Sequence, residues 1–106
     1  MTVTWAYIYE HPGTDPVTDR TVIDRGGQRT ILAPTPTAAA APEIARRLVD
    51  EDGVSLIELC GGFSLADAAR VHEAVENVAV GHVTFAVDSV AAAAAYGATF
   101  DEAVTS

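Results

Sequence analysis

Leu56-Ile57-Glu58-Leu59-Cys60-Gly61-Gly62-Phe63-Ser64 is the stretch whose reading decides the fold. Residues 54–60 are mostly apolar, as expected of a parallel strand buried in a sheet, and Gly61-Gly62 ends the run. Ser64 then opens a helix. With Asp67 three residues on it makes a near capping box, and Leu65, Ala68, Val71, His72 and Val75 form the apolar stripe of a helix reaching about Asn77. A strand that turns through glycines into a helix is half of a βαβ unit, so the same alternation is sought on both sides.

Working outward, residues 80–87 make a following strand, and residues 29–33, closed by Pro34 and Pro36, a preceding one. Between 29–33 and 54–60, Ala41, Ile44, Ala45, Leu48 and Val49 recur at helical spacing. Pro42 suits the opening turn of that helix, Glu43 complements its dipole, and Asp52-Gly53 marks its exit. Residues 3–9 are aromatic and β-branched and stop at His11-Pro12-Gly13, which reads as a first strand. Residues 14–27 are polar, broken by Asp15-Pro16 and Gly26-Gly27, with a short helical turn expected around 19–23. An alanine-rich third helix is expected from a cap at Asp88 or Ser89 to Tyr96, ended by Gly97.

The sum is one α/β domain over residues 1–106, a small, mostly parallel four-stranded sheet with two to three helices. The helical crossovers should be right-handed, and if strand order progresses in one direction they place the helices predominantly on one face. The other face then needs a cover, and a homo-oligomer is expected on that ground.

Composition narrows the function. Fifteen acids against six arginines give a formal charge of −9, which disfavours nucleic acid and anionic membrane as partners. No apolar run approaches the roughly 20 residues of a membrane span, and the start of the chain lacks the pattern of a secretion signal, so a cytoplasmic protein is expected. The single cysteine excludes an internal disulfide and a multi-thiolate metal site. The chain has no lysine, which excludes Schiff-base chemistry and a phosphate loop ending in Lys.

Chemistry concentrates around the opening stretch. Glu58 shares a strand face with Cys60, and an acid in an apolar run must be paired, hydrogen-bonded or protonated, the setting in which general acids and bases are tuned. Cys60 stands at the carboxyl end of its strand, where open α/β sheets bind ligands, and is either a reactive thiol or a packed one. Gly61-Gly62, Phe63 and the Ser64 cap are expected to form a cradle for a small ligand, anionic ones included. Alternation puts His82 on one face with Thr84 and Asp88, and Tyr7, Tyr9 and His11 on one face of the first strand; these are the natural companions of Glu58 if the polar faces coincide. His72 falls on a helix stripe and is expected to pack. Arg20 and Arg25 are candidate anion clamps. His11, Glu58, Cys60 and His82 lack diagnostic metal-ligand spacing, so neither a metal nor a cofactor is expected.

Trp5-Ala6-Tyr7-Ile8-Tyr9, the His11-Pro12-Gly13-Thr14-Asp15-Pro16 loop, Leu56 to Phe63 and Val80-Gly81-His82-Val83-Thr84 together resemble an uncharacterised bacterial family of small α/β proteins, a domain of unknown function. The resemblance spans most of the chain, and Ile57-Glu58-Leu59-Cys60-Gly61-Gly62-Phe63 is its most specific part. It implies that the Pro-Gly-x-Asp-Pro loop and the Glu-x-Cys-Gly-Gly-Phe turn belong to one design with a shared pocket, and implies no substrate. The chain departs from that pattern after Asp15-Pro16, with Asp19-Arg20 where a His-Arg pair is expected. The resulting expectation is a cofactor-independent acid/base enzyme of isomerase, cyclase or lyase type, with Glu58, Cys60, His82 and His11 catalytic. The alternative is a non-catalytic small-molecule-binding or accessory subunit using the same pocket.

Overall fold

A computed structural model describes residues 2–105, with side chains for residues 2–100. Its elements are β1 (Val3–Glu10), β2 (Thr21–Arg25), β3 (Gln28–Thr35), α1 (Ala41–Asp52), β4 (Leu56–Leu59), α2 (Leu65–Ala74), β5 (Ala79–His82) and α3 (Val90–Thr105). Short 3-10 turns, Ala38–Ala40 and Val87–Ser89, lead into α1 and α3. The sheet has five strands in the order β2-β3-β1-β4-β5, all parallel except β2, which runs antiparallel to β3.

The mostly parallel α/β class therefore holds, with one strand more than the four expected. The extra strand is β2, where a helical turn was expected. Gly26 and Gly27 have φ of +63° and +78°, so they form the two-residue turn of a hairpin, and Arg25 pairs with Gln28 to close it. The helical turn lies just upstream. Asp15 accepts from the Val17 and Thr18 amides at 2.8 and 2.9 Å, and the Asp19 amide donates to the Asp15 carbonyl. Those amide bonds hold the Asp15 carboxyl below its ordinary 3.8.

The path from β3 through α1 to β4 crosses over β1, and α2 carries the chain one strand further in the same direction. Two right-handed crossovers in one direction put both helices on the same side of the sheet, and α1 and α2 pack against each other there. The core is the layer between: Ala6 and Ile8 of β1, Ile31 and Ala33 of β3, Ile57 and Leu59 of β4, against Ile44, Leu48, Val71 and Val75. α1 ends where the sequence indicates. Gly53 is left-handed at φ +69°, and the Gly53 and Val54 amides bond back to Val49 and Leu48.

Three further expectations change. Leu65 and His72 are exposed, because α2 turns Ala68, Val71 and Val75 to the sheet and leaves those two on its flanks. Gly97 does not end α3, which runs on to Thr105; an interior glycine costs only about 1 kcal/mol against alanine, and the alanines around it offset that. The strand expected over 80–87 is shorter, ordered as β5 only to His82. No helix among the described residues is long and apolar enough to cross a membrane.

Candidate functional site on the bare sheet face

Side chains alternate along each strand, so the residues between the core positions point away from α1 and α2. These are Trp5, Tyr7 and Tyr9 of β1, Thr30 and Leu32 of β3, Ile23 of β2, and Leu56 and Glu58 of β4. In register across the sheet, Leu32 stands beside Tyr7, Tyr7 beside Glu58, and Glu58 beside Gly81. Adjacent strands lie about 4.8 Å apart, so the Tyr7 phenol and the Glu58 carboxylate are immediate neighbours on this face. The Tyr7 and Tyr9 rings stack with centroids 6.2 Å apart.

β4 is buried on one face only: Ile57 and Leu59 are fully covered, Leu56 and Glu58 exposed. The expectation of an acid enclosed in an apolar strand is corrected accordingly. Glu58 meets solvent because, among the described residues, no helix packs over that side of the sheet. Toward the amino ends of the strands it borders an open trough of about 470 Å³ lined by Val3, Trp5, Gln28, Ser55 and Leu56. Beside it stands Tyr7, and toward the carboxyl ends lies the half-buried free thiol of Cys60. Partial burial, then the nearby Cys60 and Glu58, raise the Tyr7 phenol above its ordinary 10.0.

The structure separates the remaining candidates. His82 is aligned with Leu59 and so lies on the helix side of the sheet, away from Glu58. Both its ring nitrogens are shut off from solvent and lack a hydrogen-bond partner among the described residues. The polar faces of β4 and β5 thus do not coincide as expected. His11 is exposed beyond the end of β1, its Nδ1 3.2 Å from the Pro12 carbonyl oxygen. Arg20 pairs with Asp52 at 3.2 Å, and Arg29 meets the same carboxylate at 3.5 Å, so Arg20 ties the connector to the end of α1. Asp88 is exposed in the turn before α3.

The turn after β4 is built for close packing. Cys60 accepts from the Phe63 amide, Phe63 is buried in the core, and Ser64 accepts from the Asp67 amide at 3.1 Å to cap α2. Neither Gly61 nor Gly62 has a positive φ. At Gly61 a Cβ would stand 2.8 Å from the ring of the exposed Phe85, which would have to shift to admit it. A Cβ on Gly62 would meet Cys60 Sγ at 3.6 Å and Glu10 Oε1 at 3.7 Å. Trp5, Leu56, Glu10 and Phe85 are the neighbours that sequence reasoning missed. Trp5 had a signal, since it alternates with Tyr7; Phe85 and Glu10 had none. Among the described residues no three His, Cys, Asp or Glu side chains converge as metal ligands would.

Tyr7 makes a direct prediction. A phenol whose folded pKa is raised above the unfolded 10.0 holds its proton more tightly in the native state. Its contribution to stability is complete below about pH 10 and is lost as pH rises through the folded value. In a spectrophotometric titration Tyr7 should ionise later than an unperturbed tyrosine, and Tyr7→Phe should remove that late step. The same substitution should flatten the fall of the urea midpoint above pH 10.

The fold and this face define a one-sided α/β protein with an acid and a phenol side by side on its uncovered sheet. The chain belongs to the family of unknown function DUF6506, whose model matches residues 3–98, from β1 into α3. Comparison with curated proteins and with solved structures gave no match.

Proposed function

We propose that this protein is a cytoplasmic, cofactor-independent acid/base enzyme that isomerises a small carbonyl compound on the bare sheet face. The observation that carries the reading is the Tyr7–Glu58 pair, set in register on adjacent strands beside an apolar trough. Glu58 removes a proton from the carbon next to a carbonyl, and the electron pair moves onto the carbonyl oxygen. Tyr7 keeps its proton because its pKa is raised, and its O–H donates to that oxyanion. In a substrate with a carbon–carbon double bond conjugated to that enolate, return of the proton from Glu58 to the far carbon of the dienolate completes an isomerisation, with no electron acceptor and no net change in atoms. Trp5, Leu56 and Val3 supply apolar contact for the substrate's body. His82 and His11, separated from Glu58, have no part in this step, and Cys60 serves as a wall.

The second reading is a binding protein without turnover, and the exposure of Glu58 favours it, because a carboxylate bathed in water is a weaker base catalyst than an enclosed one. One experiment separates the two. A panel of small ketones, keto acids and enones is incubated with the full chain in D2O and followed by proton NMR. Enzyme-dependent loss of the signal next to the carbonyl supports the proposal. Saturation-transfer binding without exchange selects the binding reading, and neither binding nor exchange by any panel member overturns both.

A further inference from the structure

α3 is the one long helix that does not lie on the sheet: among the described residues its only substantial packing is against the 3-10 turn that leads into it. Ser89 bonds back to Ala86 and Val90 continues at φ −60° and ψ −43°, so that turn passes into α3 without a hinge and fixes its direction. The radius of gyration is 14.4 Å and the long dimension 44 Å, where a compact chain of this length gives about 13 Å. The projecting helix is nonetheless apolar. No charged residue stands between Asp88 and Asp101, and Val90, Ala93, Tyr96, Gly97 and Phe100 fall within one third of the helix circumference. Tyr96 is 79% exposed. The family match runs to residue 98, so this helix belongs to the shared design and is no stray tail.

The same chain therefore presents two unpartnered apolar surfaces, α3 and the bare sheet face. We infer that they are each other's partner between two copies: α3 of one chain lies on the sheet of the second, and the reverse contact completes a two-fold dimer. Length agrees, since the 16 residues of α3 span about 24 Å and the eight-residue strands β1 and β3 about 26 Å. Charge selects this pairing over others. Each copy carries −9, and its charged side chains crowd α1, α2 and the loops, whereas the centre of the bare face holds one charge, Glu58. Two acidic chains can approach through an uncharged helix and a nearly uncharged face without direct repulsion. The partner's α3 roofs the trough and lowers the water content around Tyr7 and Glu58, so the site is incomplete in a single chain. The inference stands on packing alone and holds whether or not the face turns over a substrate.

Trp5, the only tryptophan, lies on the face in question, so its emission reports coverage. Light scattering on the full chain at tens of micromolar should give twice the 11.0 kDa protomer mass. On dilution, Trp5 emission should move to the red together with the loss of dimer. Tyr96→Arg, at a position exposed in the single chain, should give monomer with red-shifted emission and unchanged far-ultraviolet circular dichroism, and Ala93→Glu should do the same. A monomer at all concentrations overturns the inference. So does a dimer whose Trp5 emission ignores dilution and both variants, which pairs through another surface. A red shift in the variants with no concentration dependence also overturns it, because α3 then covers its own sheet.

Discussion

Glu58→Gln is expected to slow exchange of the substrate's carbon-bound proton by about 10²–10⁴-fold, the usual contribution of a positioned general base. Glutamine keeps the size and the hydrogen-bonding oxygen of glutamate, so binding to the trough should change little and the loss should fall on the rate. Stability should also be nearly untouched, within about 0.5 kcal/mol, because Glu58 is exposed and makes no ion pair among the described residues. Tyr7→Phe is the companion measurement. It removes the oxyanion donor alone and is expected to slow the reaction about 10²–10³-fold. A Glu58→Gln variant with undiminished exchange assigns the proton acceptor elsewhere on the face. Equal losses in the affinity of a non-reacting analogue would make Glu58 a binding group only.

Much of the architecture was legible because it rests on local chemistry. Ser64 and Gly53 mark helix ends by satisfying amides and carbonyls, and such signals do not depend on distant residues. β2 was not read: Gly26-Gly27 stands between two β-branched runs, but the polar flanks of that segment masked the hairpin signal. What alternation could not supply was which side of the sheet each row faces. His82 and Glu58 were each correctly seen as polar residues in apolar strands; only the register of β4 with β5, Leu59 against His82, puts them on opposite sides. The exposure of Glu58 was hidden for a related reason. An apolar strand implies two covered faces when read alone; here no second cover is found among the described residues, and the apolar residues Leu56 and Trp5 sit on that side. The chain does belong to a family of unknown function, and the His11 to Pro16 loop and the Cys60 to Phe63 turn lie beyond the carboxyl ends of the adjacent strands β1 and β4.

That one-sided burial sets the second large effect. Ile8 lies on the central strand, fully buried, in register with Ala33 on one side and Leu59 on the other. Ile8→Ala removes three carbons from beneath α1 and α2 and should destabilise the protein by about 3 kcal/mol, within the 2–5 kcal/mol spread for such truncations. For a domain of this size that lowers Tm by roughly 12–20 °C, a large part of a total stability of about 5–15 kcal/mol. Leu56→Ala, one strand over and on the bare face at 39% exposure, is the control. In dilute solution, where a single chain leaves Leu56 against solvent, it should destabilise by under about 1 kcal/mol. At concentrations where copies pair, the same leucine lies under the partner's α3, and its truncation should become more damaging as concentration rises, whereas the effect of Ile8→Ala on the folding of the protomer should not. The concentration dependence of the Leu56→Ala effect, measured by urea unfolding at two protein concentrations, therefore reads the second cover of the sheet independently of Trp5. An effect equal at both concentrations would leave that face bare.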